Sequence, residues 1–94
     1  MATFTIRVEL HKASAEDYRN LHEKMQAHGF SKIITASSGV TYQLPEAEYT
    51  YSSISEDESQ VANKAQRVAS DIKRDPGILV TKSSGRAVRG LITV

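Results

Sequence analysis

Two runs of alternating apolar residues and two helix-length stretches with capped starts predict an α+β sandwich. Phe4, Ile6, Val8 and Leu10 alternate with Thr3, Thr5, Arg7 and Glu9. This period of two marks a strand with one packed and one wet face. Ser14 then opens a helix and Gly29 closes it, and a second strand-like run extends from Phe30 to Ala36. The second half of the chain repeats this grammar.

The first helix is expected from Ala15 to about His28. Ser14 is a good N-cap, Asp17 stands three residues on in capping-box position, and Glu16 and Asp17 place negative charge at the positive end of the helix dipole. Tyr18, Leu21 and Met25 make its apolar stripe, with His22 beside it. Gly29 tolerates the left-handed conformation that ends a helix. Ser37-Ser38-Gly39 reads as a turn joining two strands. Val40, Tyr42 and Leu44 alternate on the return, and Pro45 marks a break or bulge because it cannot donate to a ladder. Ala47, Tyr49 and Tyr51 share a parity, so Ala47 to Ser53 reads as the same strand continuing past that bulge. Ser55 with Glu58 offers the second capping box. Val61, Ala65, Val68 and Ile72 then fall on one helical face lasting to about Lys73. Asp75-Pro76-Gly77 stops it, Ile78 to Val80 gives a strand, and Gly90 to Val94 either adds a terminal strand or stays frayed.

The order strand, helix, strand, strand, helix, strand is the ferredoxin-like split β-α-β arrangement, with both helices on one face of an antiparallel sheet. Right-handed crossovers leave it as the simplest un-knotted solution. A chain of 94 residues supports one such domain, residues 1–94, with one modest core. Phe4, Ile6, Val8 and Leu10 are thereby assigned to the helix side, and Arg7 and Glu9 to the open face.

Composition narrows the function classes. The chain has no cysteine, which removes disulfides, thiolate nucleophiles and zinc knuckles, and fits a cytoplasmic protein. No apolar run approaches membrane-spanning length, so a soluble protein with no membrane role is expected. Net charge is only +1, but it is unevenly placed. Residues 1–72 carry seven basic and ten acidic side chains, whereas residues 73–94 carry Lys73, Arg74, Lys82, Arg86 and Arg89 against Asp75 alone. That asymmetry is compatible with a basic patch near the C-terminal end, although solvated surface charge is the simpler account of it.

The open face offers the main candidates for chemistry. Arg7 can hold a phosphate, Glu9 can bind a divalent metal or act as a general base, and His11 in the next loop can serve as a general acid beside Glu9. The alternatives are a cross-strand ion pair and a solvated loop histidine. Lys82, Arg86 and Arg89 are the candidates for contacts to an RNA backbone. His22 and His28 lie on opposed helix faces and cannot share a metal, and no spacing resembles a zinc site, so neither metal nor cofactor is expected. Tyr42, Tyr49 and Tyr51 would stack bases if exposed and pack if not. A serine nucleophile lacks an identifiable base.

Three segments together carry a family resemblance: FTIRVELHKASAEDYRNLHEKMQAHGF, TYQLPEAEYTY and ILVTKSSGRAVRG. They resemble the GhoS-type proteins, bacterial antitoxins of type V toxin–antitoxin systems, over nearly the whole chain. The resemblance implies an endoribonuclease that cuts the single-stranded mRNA of a partner membrane toxin, working as a homodimer or monomer, with little or no help from metal. In fold the family resembles small CRISPR-associated ribonucleases that use an aspartate at the end of the first strand. Here Glu9-Leu10-His11 stands at that place, which counts against a metal-bound mechanism. The alternative is a non-enzymatic dimeric module that binds RNA or protein through its sheet.

Overall fold

A computed structural model describes residues 1–36, 38–85, 87 and 89–94. The elements run β1 (Ala2–Glu9), α1 (Ala15–Ala27), β2 (Ile33–Thr35), β3 (Thr41–Gln43), β4 (Glu48–Ser53), α2 (Glu58–Ser70) and β5 (Gly77–Lys82). β1 lies at the centre of an antiparallel sheet in the order β4-β1-β5, while β2 and β3 form a hairpin. The hairpin joins the main sheet at Ser31, whose backbone exchanges two 2.8 Å hydrogen bonds with Thr50 of β4. This is the expected ferredoxin-like sandwich, with one strand more than the simple pattern.

The alternation in β1 sorts its side chains as expected. Phe4 and Ile6 are fully buried, and Val8 and Leu10 nearly so. They join Leu21 and Met25 of α1, Val61, Ala65, Val68 and Ala69 of α2, and Phe30 and Tyr49 in a single core. Each large apolar side chain so enclosed contributes about 1.5–3 kcal/mol relative to leaving it in water. Both helices therefore cover one face of the sheet. Tyr18 ties α1 to the end of β1, its hydroxyl accepting from the Leu10 backbone N–H at 3.1 Å.

The caps divide into one confirmation and one correction. Ser14 caps α1 as expected, its Oγ accepting from Asp17 N–H while the Asp17 carboxylate accepts from Ser14 N–H. Gly29 comes next at φ 91°, and a Cβ there would stand 3.4 Å from the Tyr51 ring. The start of α2 is two residues later than the Ser55–Glu58 pair implies. Asp57 is its N-cap, in a capping box with Gln60. The backbone N–H groups of Ser55 and Glu56 are instead taken by Ser53 Oγ, which holds Ser55 in a turn. The helix also ends at Ser70, short of Lys73.

The expected continuous strand through Pro45 is two strands in two sheets. Thr41–Gln43 pairs with β2, and Glu48–Ser53 pairs with β1. Between them the chain turns with Ala47 at φ 63°, and Ala47 C=O accepts from Val8 N–H at 2.9 Å. The second strand is likewise shorter than the run Phe30 to Ala36 implies, since Phe30 turns into the core and only Ile33–Thr35 pairs with β3. Residues 92–94 do add an outer rung to β3, through Gln43 N–H to Ile92 C=O at 2.8 Å and Val94 N–H to Thr41 C=O at 3.0 Å.

Candidate active site

The open face of the main sheet carries Thr3, Thr5, Arg7 and Glu9 from β1. Glu48 and Leu79 stand opposite Arg7, and Thr50 and Thr81 stand opposite Thr5. Arg7 and Glu9 are exposed, as their parity requires. Arg7 forms no hydrogen bond or ion pair with another described residue, even though Glu48 is its cross-strand neighbour. Its guanidinium donors are therefore left to solvent. Past the end of β1, His11 Nδ1 comes within 3.8 Å of Glu9 Oε1, both side chains lying in solvent. The proximity of Glu9 and His11 was legible in the sequence. A cleft of about 540 Å³ opens beside them, lined by Arg7, Glu9, Tyr18, Glu46 and the Gly77–Leu79 stretch. Gly77 faces Glu9 across the ladder, and a Cβ there would sit 3.4 Å from that of Glu9.

Of the basic C-terminal residues, Lys82 ends β5 and shares a second cleft with Arg7. That cleft, about 320 Å³, is completed by Thr5, Glu48, Leu79, Thr81 and Ser83–Gly85. Arg89 is exposed, just ahead of the segment that pairs with β3. Arg86 lies outside the described residues.

The tyrosines pack. Tyr49 is fully buried opposite Ile6, and Tyr51 lies against Phe30 with ring centroids 4.7 Å apart. The Tyr51 hydroxyl donates to Glu56 at 2.7 Å and accepts from Lys64 at 2.8 Å, and these contacts hold the ring in place. The Glu56 carboxyl is held below its ordinary value chiefly by that Tyr51 hydrogen bond. Neither ring offers a free face to a base.

A third cleft, about 380 Å³, was not legible in the sequence. It is lined by His22, Lys32, Glu46 and Gln43 with Leu44–Pro45 and the Gly90–Ile92 backbone. His22 Nδ1 lies 2.5 Å from the Tyr49 hydroxyl, and Nε2 lies 3.9 Å from Glu46 Oε1. Burial, with Glu46 and Tyr18 nearby, pushes the Tyr49 phenol far above its ordinary value, so it keeps its proton. Its hydroxyl has His22 as its one side-chain or backbone partner among the described residues. A buried hydroxyl directs its hydrogen to an acceptor, so Nδ1 accepts and the proton of the neutral imidazole is assigned to Nε2. Burial and then the Lys32 charge lower the His22 pKa, with Glu46 opposing them. Burial also lowers that of Lys32, against the pull of Glu46 and Glu48. The Lys32 ammonium donates to Pro45 C=O and stands 5.3 Å from the centre of the Tyr49 ring. Perturbed titratable groups gathered in a cleft are a signature of a functional site.

Among the described residues no three His, Asp or Glu side chains gather closely enough to hold a metal ion. None of the helices described is long and apolar enough to cross a membrane. No curated protein matches the chain. The family model of endoribonuclease GhoS matches residues 1–84 and so takes in both helices and the five strands described above. On that match the chain belongs to the GhoS endoribonuclease family.

Proposed function

We propose that the protein is an endoribonuclease that cuts single-stranded RNA and acts in the cell as an antitoxin against the message of a partner toxin. The family match over residues 1–84 carries this reading. The open face supports it chemically. Arg7, without a protein partner among the described residues, binds a phosphate and spreads the charge that grows on it in the transition state. The Glu9–His11 pair, 3.8 Å apart, supplies proton transfer beside it. Lys82 borders a cleft with Arg7 and, with Arg86 and Arg89, takes further phosphates.

The test incubates purified protein with toxin-message RNA, with and without chelator. Cleavage is expected in both, and the Arg7→Ala, Glu9→Ala, His11→Ala triple variant is expected to lose at least about 10²-fold in rate. A triple variant that cuts as fast as the parent removes this site assignment. RNA binding without any product, by the parent protein itself, would instead establish a non-enzymatic binding module.

A further inference from the structure

We propose that the cleft at His22, Lys32 and Glu46 is a second phosphodiester-reacting site, where an RNA strand is cut by attack of its own 2′-hydroxyl. This inference rests on the ribonuclease reading and adds a centre that the sequence did not show.

The three clefts adjoin through shared residues. Arg7 and Leu79 line both the Lys82 cleft and the Glu9 cleft, and Glu46 lines both the Glu9 cleft and the His22 cleft. A flexible single strand laid on Arg7 at the open face is thus led past Glu46 to His22. The turn at Ala47, with φ 63°, sets Glu46 at this junction.

The groups in the third cleft match the demands of RNA transesterification. Glu46 is 70% exposed on its side chain, and its carboxylate is open to a substrate hydroxyl. It takes the proton from the 2′-oxygen, which then bonds to phosphorus as the bond to the 5′-oxygen breaks. The 5′-oxygen leaves with a proton from water, and Glu46 returns its own proton to solvent. The products are a 2′,3′-cyclic phosphate and a 5′-hydroxyl. Negative charge builds on the non-bridging oxygens during attack. His22, held by Tyr49 with Nε2–H as the donor, and the half-buried Lys32 ammonium meet that charge. Tyr49 is a positioning residue here, since it reaches the substrate only through the imidazole.

The experiment uses a 5′-labelled single-stranded oligoribonucleotide and its 2′-deoxy counterpart, with the full chain. The parent is expected to cut the first to a cyclic phosphate and leave the second intact. Made on the Arg7→Ala, Glu9→Ala, His11→Ala background, Glu46→Gln, at an exposed position that does not threaten the fold, is expected to lower the remaining kcat by about 10²-fold with little change in KM. Long-range ¹H–¹⁵N spectra of the parent are expected to show His22 protonated at Nε2, and Tyr49→Phe to shift that equilibrium toward Nδ1. A parent that cuts RNA while Glu46→Gln leaves the triple variant's remaining kcat unchanged overturns this inference and leaves the ribonuclease reading standing. Scission of the deoxy strand, or a parent histidine protonated at Nδ1, overturns it as well. A parent that cuts nothing refutes the ribonuclease reading and this inference together.

Discussion

At the scale of single residues, the His22–Tyr49 contact links packing to acidity. An imidazole whose pKa is lowered in the folded state binds fewer protons there than in the unfolded chain. Its contribution to stability is therefore complete above the ordinary value of 6.5, and it is lost as the pH falls from 6.5 through the lowered folded value. Urea midpoints measured from pH 8 down to pH 5 are expected to decline over that window, and His22→Gln to flatten the decline. A slope unchanged by the substitution would place the effect elsewhere. The contact joins residues 27 apart in sequence. In the sequence His22 was legible only as a neighbour of the α1 stripe. Which parity of β4 faces inward depends on its pairing with β1, which no local pattern states.

At the scale of elements, local chemistry was readable where one candidate stood alone and misleading where two competed. Ser14 had no rival, and the α1 cap was read correctly. Ser55 and Asp57 both fit the start of α2, and a side-chain acceptor outside the helix, Ser53 Oγ, decides between them. The outcome is measurable. Asp57→Ala is expected to cost about 1 kcal/mol in chemical denaturation, as the loss of an N-cap does, and Ser55→Ala to cost much less. The reverse order would restore the Ser55 box. The break at Pro45 was legible as a break, but its consequence was not. Proline and the positive φ of Ala47 end the hairpin strand, and hydrogen bonding to β1 rather than β2 makes Glu48–Ser53 a separate element. The open-face positions of Arg7 and Glu9 were legible because period two alone assigns a face. The third cleft was not, because its walls come from α1, the approach to β2, the Pro45 turn and residues 90–92.

At the scale of the whole molecule, an overall charge of +1 conceals a division of labour. The near-neutral total argues for modest affinity, and on the proposed function that affinity comes from a few phosphate contacts, Lys82 and Arg89 among them. For single strands the logarithm of the binding constant falls with that of salt at a slope of about 0.7 per contacted phosphate. Binding of single-stranded RNA, measured by fluorescence anisotropy between about 50 and 200 mM salt, is expected to weaken along a shallow line. Lys82→Ala together with Arg89→Ala is expected to reduce the slope by about 1.4, the share of two phosphates. A slope that the double variant leaves unchanged would move the RNA path off the C-terminal segment.

The central position of β1 also governs how the chain can be made. It precedes its partners in the chain, and Phe4 finds its two neighbours only when Tyr51 and then Lys82 have been made. Until then both edges of an apolar-faced strand are bare, and α1 has no finished sheet to cover. Assembly is consequently late and dominated by distant pairings, the topology that slows folding and leaves nascent chains open to mispairing. A chain stalled before β5 emerges is expected to lack one of the two partners of β1 and to remain open to chaperones and proteases.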